Sequence, residues 1–531
     1  MLCRYIIFRS SVIMSKHSNS VLGMWHLKIL LAIILVSLLS FRIISPVSAA
    51  GSEAHIKGEF GPLHNWPLIP LAMMLMPDGR VLAYGTTTTG IQNAKLNYAI
   101  WNPLLGTGSD AFENLPNTTN TDIFCAGQAM IPGTGHALIV GGDALVNGKR
   151  NYANSDVNIF DSTTDTLVRQ PQNMAFKRWY ATAVTMPNGE HVILGGRDSR
   201  LFAGTAKLPA TQATYSPTPE VRSASGAWRS LTTATSDTAY GALGGASWFY
   251  PRAWVNPTGT IFLVAHNGSM YKLDPAGAGT LTKYKNNAPV GQSNLPGVMY
   301  APGRVLLARK NRVAVSIDFN GAAPVVTTTN NLVIDRQYGS LTVLADGQVW
   351  ANGGSSTGND LAGATLTTEL WNPGTGIWTA TATAATPRLY HSASLLLLDG
   401  SVLVGGGGAP GPIAQLNGEI YYPPYLFEKD GSGNFSPRPE ITDYPTSTIG
   451  WNQNFSVQSD EVITRVTLVR AGAVTHTFNN ETRFFDLAVT PGHIVSVHSP
   501  VSSSVAPPGY YMLFVWNSEG VPSIAKIIQL G

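Results

Sequence analysis

The sequence predicts an all-β protein, a seven-bladed β-propeller followed by a C-terminal β-sandwich. Three observations carry that prediction. Charged residues are only 12% of the 531, while Gly (54) and Pro (34) are abundant, as expected of a turn-rich chain of short strands. A motif recurs seven times along the body: a Gly-containing turn, four or five apolar or β-branched residues, then Gly-Gly or a small-residue equivalent. After Tyr425 the motif stops, and short alternating strands take over.

In chain order, residues 1–50 come first. Scattered positive charge (Arg4, Arg9, Lys16, Lys28) precedes the apolar run "ILLAIILVSLLSF" and the small-residue site Val47-Ser48-Ala49. That order is the pattern of a secretory signal, cut near Ala49 or Ala50. The alternative is an uncleaved anchor tethering the chain to a membrane, since the run extended to Ile44 approaches spanning length. Either way the body is expected outside the cytoplasm, extracellular or periplasmic.

Residues 51–435 carry the repeat: "PDGRVLAYG", "GTGHALIVGG", "PNGEHVILGG", "PTGTIFLVAH", "APGRVLLARK", "ADGQVWANGG" and "LDGSVLVGGG". Each reads as a hairpin turn and a buried inner strand. Most are followed by a similar outer strand, such as "NYAIWNP" or "TTELWNPGTGIW". Copies start 44 to 70 residues apart, bracketing the period of about 50 in kelch repeats, so a kelch-type propeller of seven blades is expected. The fourth and fifth copies lack the Gly-Gly pair, which leaves blade boundaries open there. Residues 436–531 contain "NFSVQS", "ITRVTLVRAG", "TRFFDLAV", "HIVSVHSP" and "GYYMLFVWNSEG", strands that fit an immunoglobulin-like (early-set) sandwich.

The formal net charge of +3 comes without a Lys/Arg cluster, so no nucleic-acid surface is expected. Removing the signal removes Cys3 and leaves Cys125 alone, which excludes a disulfide within the mature chain. An odd cysteine in an exported protein points to intermolecular pairing or a special thiol; a buried thiol acting as a small hydrophobe is equally open. His55, His64, His136, His191, His266, His493 and His498 stand singly and read as surface or packing residues. Three segments differ, because a phenol or imidazole sits where an inner strand begins: "KRWYATAV" with Tyr180, "RLYHSASLLLLDGSVLVGGGG" with Tyr390 and His391, and "AGAVTHTFNN" with His476. Equivalent positions of different blades converge in a propeller, so a site of two tyrosines and two histidines is geometrically open to this chain.

Four motifs in order, "IFCAG", "RWYATAV", "RLYHSASLLLLDGSVLVGGGG" and "AVTHTFN", resemble the copper radical oxidases, the galactose oxidase and glyoxal oxidase family, from about residue 60 to the end. The resemblance implies a thioether joining Cys125 to Tyr180, forming a protein-derived radical cofactor. It implies one copper ion held by Tyr180, His391 and His476, with Tyr390 as axial ligand and proton acceptor. The His476 ligand would come from the C-terminal domain. Imidazole and phenol donors without carboxylate clusters suit Cu(II) and argue against Mg, Ca or structural Zn. A blue-copper site of Cys125, His391 and His476 is the rival use of the same atoms.

The implied reaction is oxidation of a small aldehyde, as its hydrate, or a primary alcohol by O2, giving H2O2, in a protein expected to be monomeric. "HIKGEFGPLHNW" follows the signal with no carbohydrate-binding domain between, and "GGSSTGNDLAGA" lacks an aromatic finger. Both departures look closer to the glyoxal oxidase branch. Asp198 of "GGRDSR" stands where galactose oxidase has a tryptophan over the modified tyrosine, leaving Trp179 and Trp248 as candidate shields. A galactose oxidase-like sugar oxidase and a catalytically silent propeller that binds carbohydrate or protein remain as alternatives.

Overall fold

The computed structural model describes residues 51–198, 202–203, 206–207, 215–241, 247–292 and 294–531. The expected signal or anchor, 1–50, lies outside the described residues. Among those described, no helix is long and apolar enough to cross a membrane.

Seven antiparallel blades follow one another, with innermost strands Ala72–Leu75, Gly127–Met130, Thr182–Thr185, Arg252–Val255, Gly297–Ala301, Ser340–Val343 and Ser392–Leu396 (blades 1 to 7). The apolar run of each repeat copy forms the second strand, for example Val81–Tyr84 or Ile261–Val264, hydrogen-bonded to the innermost strand before it. The second strands are buried along their whole length in these blades, which is why the copies read as continuous apolar runs instead of alternating ones. A fourth, outermost strand, such as the half-exposed Thr166–Arg169, completes the sheet. Blades 4 and 5 are complete despite lacking Gly-Gly.

Two features of the ring have no counterpart in the repeat pattern. Blade 7 takes its outermost strand from the start of the body, Glu59–Phe60 pairing with Tyr421 and Tyr422, so the two ends of the propeller are joined by backbone hydrogen bonds. Blades 3, 6 and 7 share a buried ion pair, Arg178–Glu220, Arg336–Glu369 and Arg388–Glu419. Each arginine also donates Nη1 to a glycine carbonyl that follows or ends the second strand: Gly195, Gly353 and Gly406. Each arginine stands two residues before a tyrosine, in "RWY", "RQY" and "RLY".

The last domain packs two sheets, Ile441–Asp443 with Asn454–Ile463 and Gly492–His498, against Phe484–Leu487, Arg465–Arg470, Gly509–Trp516 and Lys526–Leu530, around Val457, Val466, Leu468, Val495 and Leu513. One hairpin leaves this sandwich. Ala473–Thr475 pairs with Ala72–Met74 of blade 1, and Phe478–Asn479 pairs with Gly297–Val298 of blade 5, so the hairpin joins two blades into one ten-stranded sheet.

Candidate metal centre

All five predicted site residues come together. Cys125 and Tyr180 each precede an innermost strand by two residues, Tyr390 and His391 run directly into that of blade 7, and His476 begins the two-residue turn of the inserted hairpin. The Tyr180 and Tyr390 hydroxyls are 2.5 Å apart. Cys125 Sγ lies 3.3 Å from His476 Nε2 and 3.7 Å from His391 Nε2. The two imidazole rings stand at 89° with centroids 4.5 Å apart. Among the described residues, Cys125, His391 and His476 are the one group of three or more His, Cys, Asp or Glu able to share an ion.

The backbone at these positions is left-handed: φ is 56° at Cys125, 69° at Tyr180, 69° at His391 and 47° at His476. Such conformations cost non-glycine residues roughly 1–3 kcal/mol each and concentrate at functional sites. Local pairing holds them in place. The Tyr180 N–H donates to Cys125 O at 3.0 Å, and the Tyr250 N–H to Tyr180 O at 2.9 Å, linking blades 2, 3 and 4 at their entry points. In the hairpin, Thr475 pairs with Phe478, and His476 and Thr477 (φ 70°) both take positive φ, as a type I′ turn requires. Asn-Gly would be the easy choice there; a buried histidine occupies the place instead.

His391 Nδ1 sits 2.5 Å from Gly408 O. A carbonyl only accepts, so Nδ1 carries the hydrogen and Nε2 is left with a free lone pair. His476 Nδ1 is also engaged, by the Thr475 hydroxyl at 2.5 Å, a group that can donate or accept. Burial lowers His391 to a pKa of about 3 and drives His476 well below the usual histidine range, so both are neutral. Burial likewise pushes the Tyr180, Tyr390 and Cys125 groups well above their ordinary values. Neutral imidazoles and two phenols sharing one short contact, with no carboxylate in the group, fit a divalent ion that prefers nitrogen and phenolate oxygen. Copper is that ion.

Three more residues belong to the site. Phe249 stacks on Tyr180 at 4.5 Å and 24°, whereas Trp179 is tilted at 45° and Trp248 meets the ring edge-on at 64°. Phe249 gives the near-parallel stack while Trp179 lies as close, at 4.4 Å, and the Arg197 guanidinium stands 4.3 and 5.1 Å from the Trp179 and Trp248 rings. Tyr250 packs 4.9 Å from His476, and Tyr338 packs 5.0 Å from Tyr390. Tyr250 (φ 40°) and Tyr338 (φ 63°) occupy the same entry position as Tyr180. "WFYPRAW" and "RQYGSLTV" meet the criterion that singled out "RWYATAV", an aromatic hydroxyl two residues before an inner strand, and that was the available signal.

Fold and site together define a class: a seven-bladed propeller whose mononuclear nitrogen–oxygen site is completed by a hairpin from an appended sandwich. Residues 438–530 match the galactose oxidase-like early set domain family. Over 515 residues the chain is 29% identical to galactose oxidase of Gibberella zeae, covering 89% of this chain and 70% of that protein. It is 25% identical over 486 residues to aldehyde oxidase GLOX1 of Arabidopsis thaliana, covering 78% and 72%. A copper-bound fungal alcohol oxidase of the AA5 family shares the fold with a TM-score of 0.75 at 23% identity, covering 89% of this chain and 99% of that one. The chain is a homologue of the galactose and aldehyde oxidases over most of its length.

Proposed function

We propose that this chain is a secreted copper radical oxidase acting on small aldehydes, as hydrates, or primary alcohols. It uses O2 and gives carboxylic acids or aldehydes with H2O2. The observation that carries this reading is the meeting of Cys125, Tyr180, Tyr390, His391 and His476 from three blades and the inserted hairpin. The oxidase homology supports it along the whole body.

Tyr180 Oη, Tyr390 Oη, His391 Nε2 and His476 Nε2 would hold one copper ion. When bound, copper supplies a one-electron couple and lowers the pKa of both phenols. Cys125, a free buried thiol in this structure, would become joined to the Tyr180 ring. The C–S bond replaces the Sγ–H and the ring C–H beside the hydroxyl, and the two hydrogens and their electrons pass to O2. The substituted phenol holds the second oxidising equivalent. Tyr390 Oη accepts the proton of the substrate hydroxyl, and Tyr180 Oη takes a hydrogen atom from the adjacent carbon. O2 leaves with two electrons and two protons as H2O2. The stacked Phe249 ring keeps water from the face of Tyr180. Export through residues 1–50, or tethering by them, and a monomeric state belong to the same reading.

The Sγ–Nε2 distances alone would also serve a Cys-His-His blue-copper site, in which Tyr180 and Tyr390 would have no task. One experiment separates the readings. Copper-loaded protein is assayed for H2O2 on glyoxal, methylglyoxal, simple alcohols and galactose, then denatured, reduced and alkylated. Turnover, a Cys125 that resists alkylation and an intact mass low by two hydrogens are expected. Ready alkylation of Cys125 overturns the cross-link; silence on every compound with copper bound assigns a binding role.

A further inference from the structure

Behind Phe249, between blades 4 and 5, a small cavity of about 20 Å3 is lined by Ser247, Tyr250, Arg252, His266, Leu295 and Arg309, among others. Arg309 is 4% exposed, yet its Nε and Nη2 have no hydrogen-bond partner, and among the described residues no carboxylate forms an ion pair with it. A buried guanidinium normally has a counter-charge, because desolvating a lone charge costs several kcal/mol. The rest of the wall adds positive charge or donors. Arg252 donates, among its contacts, to the carbonyls of Tyr250 and Leu295 at 2.8 and 3.1 Å and to the Thr477 hydroxyl at 2.9 Å. Ser247 Oγ is 2.8 Å from His266 Nδ1.

The chain shapes this place for close approach. Arg309 follows the second strand of blade 5 and is fixed by its N–H to Val313 O at 2.7 Å, across a turn in which Asn311 and Arg312 both have positive φ. A side chain at Gly291 would put its Cβ 2.1 Å from Arg309 Nη1, so only glycine leaves the guanidinium where it is. The space exceeds the roughly 10–15 Å3 that one water needs and is too small for sulfate or a sugar phosphate.

We infer that this cavity is a binding site for a small monovalent anion, chloride or the carboxylate of a one-carbon acid, with Arg309 as its principal donor. It lies outside the metal ligands and needs neither copper nor turnover. Through Arg252 and Thr477 it reaches the turn that carries His476, and it shares Phe249 with the Tyr180 shield.

The test measures Tm of the intact protein against chloride and against formate at constant ionic strength, in a background of sulfate. A saturable rise in Tm is expected with at least one of them, and the responding ion tells halide from carboxylate. In the Arg309→Met variant the rise disappears, while Tm in the anion-free background is unchanged or higher because an uncompensated charge is gone. Gly291→Ala, which crowds Nη1, reduces the response without removing the charge. Soaking crystals in bromide gives an independent readout, an anomalous peak beside Arg309. No response to either ion, or an equal response in Arg309→Met, overturns the inference; where chloride is the responding ion, a bromide-soaked crystal without that peak overturns it as well.

Discussion

Phe249 lies with its ring on Tyr180, and its task differs from that of the ligands. Phe249→Ala removes a stack worth roughly 1 kcal/mol and opens one face of the phenol. The variant is expected to bind copper as tightly as the parent, while the oxidised tyrosine decays several-fold faster, followed by its visible absorption and by EPR. An unchanged lifetime would give the shielding to Trp179 and Trp248. Why Phe249 was not legible in the sequence has a physical reason. Nothing in "SWFYP" says which of three neighbouring aromatics lies parallel to Tyr180, since all three reach that ring and only Phe249 stacks on it. Cys125, Tyr180, Tyr390, His391 and His476 were legible because each is chemically odd for its surroundings. Phe249 is an ordinary apolar residue, and only its orientation makes it part of the site.

At the scale of elements, three Arg-Glu pairs lie under three site tyrosines. Arg388 reaches Glu419 at 3.2 Å and the carbonyls of Gly406 and Asn417 at 3.1 Å each, fixing the loop that delivers Tyr390 and His391. Removing one partner strands a buried charge, at a cost of about 3–5 kcal/mol. Glu419→Gln is therefore expected to lower stability by about 3 kcal/mol in denaturant titration and to weaken copper binding. Arg388→Met combined with Glu419→Gln recovers most of the stability. If Glu419→Gln alone is neutral, the pair does not anchor the loop. The repeat pattern exposed the second strands, which are mostly apolar. It hid these anchors, because an arginine and a glutamate about thirty to forty residues apart look like surface charges until the fold brings them together inside a blade.

For the whole molecule, acid is the expected weak point. His191 is 1% exposed, donates Nε2–H to Met130 O at 3.2 Å and has no partner at Nδ1, so protonation would put a second hydrogen where nothing accepts it. Burial lowers its pKa from 6.5 to about 4. A folded-state pKa below the unfolded value means that stability is fully present above pH 6.5 and drains away as pH falls towards 4, by about 3 kcal/mol for this one group. His64, also lowered to about 4 by burial, acts in the same direction. His191→Gln is expected to flatten the acid limb of the stability profile between those values; an unchanged slope would place the loss elsewhere.

The closure of the ring was not legible for a different reason. Glu59–Phe60 is too short to carry a pattern, and only its distant pairing with Tyr421 and Tyr422 makes it a strand. The hairpin at His476 has the same character, since its membership in the propeller depends on blades 1 and 5. That insertion also sets an order of events during biosynthesis. All seven blades leave the ribosome before His476 does, so a nascent chain, or one clipped ahead of that hairpin, holds the cysteine and both tyrosines without His476. The five residues meet only once the chain beyond the propeller has folded back and seated its hairpin between blades 1 and 5.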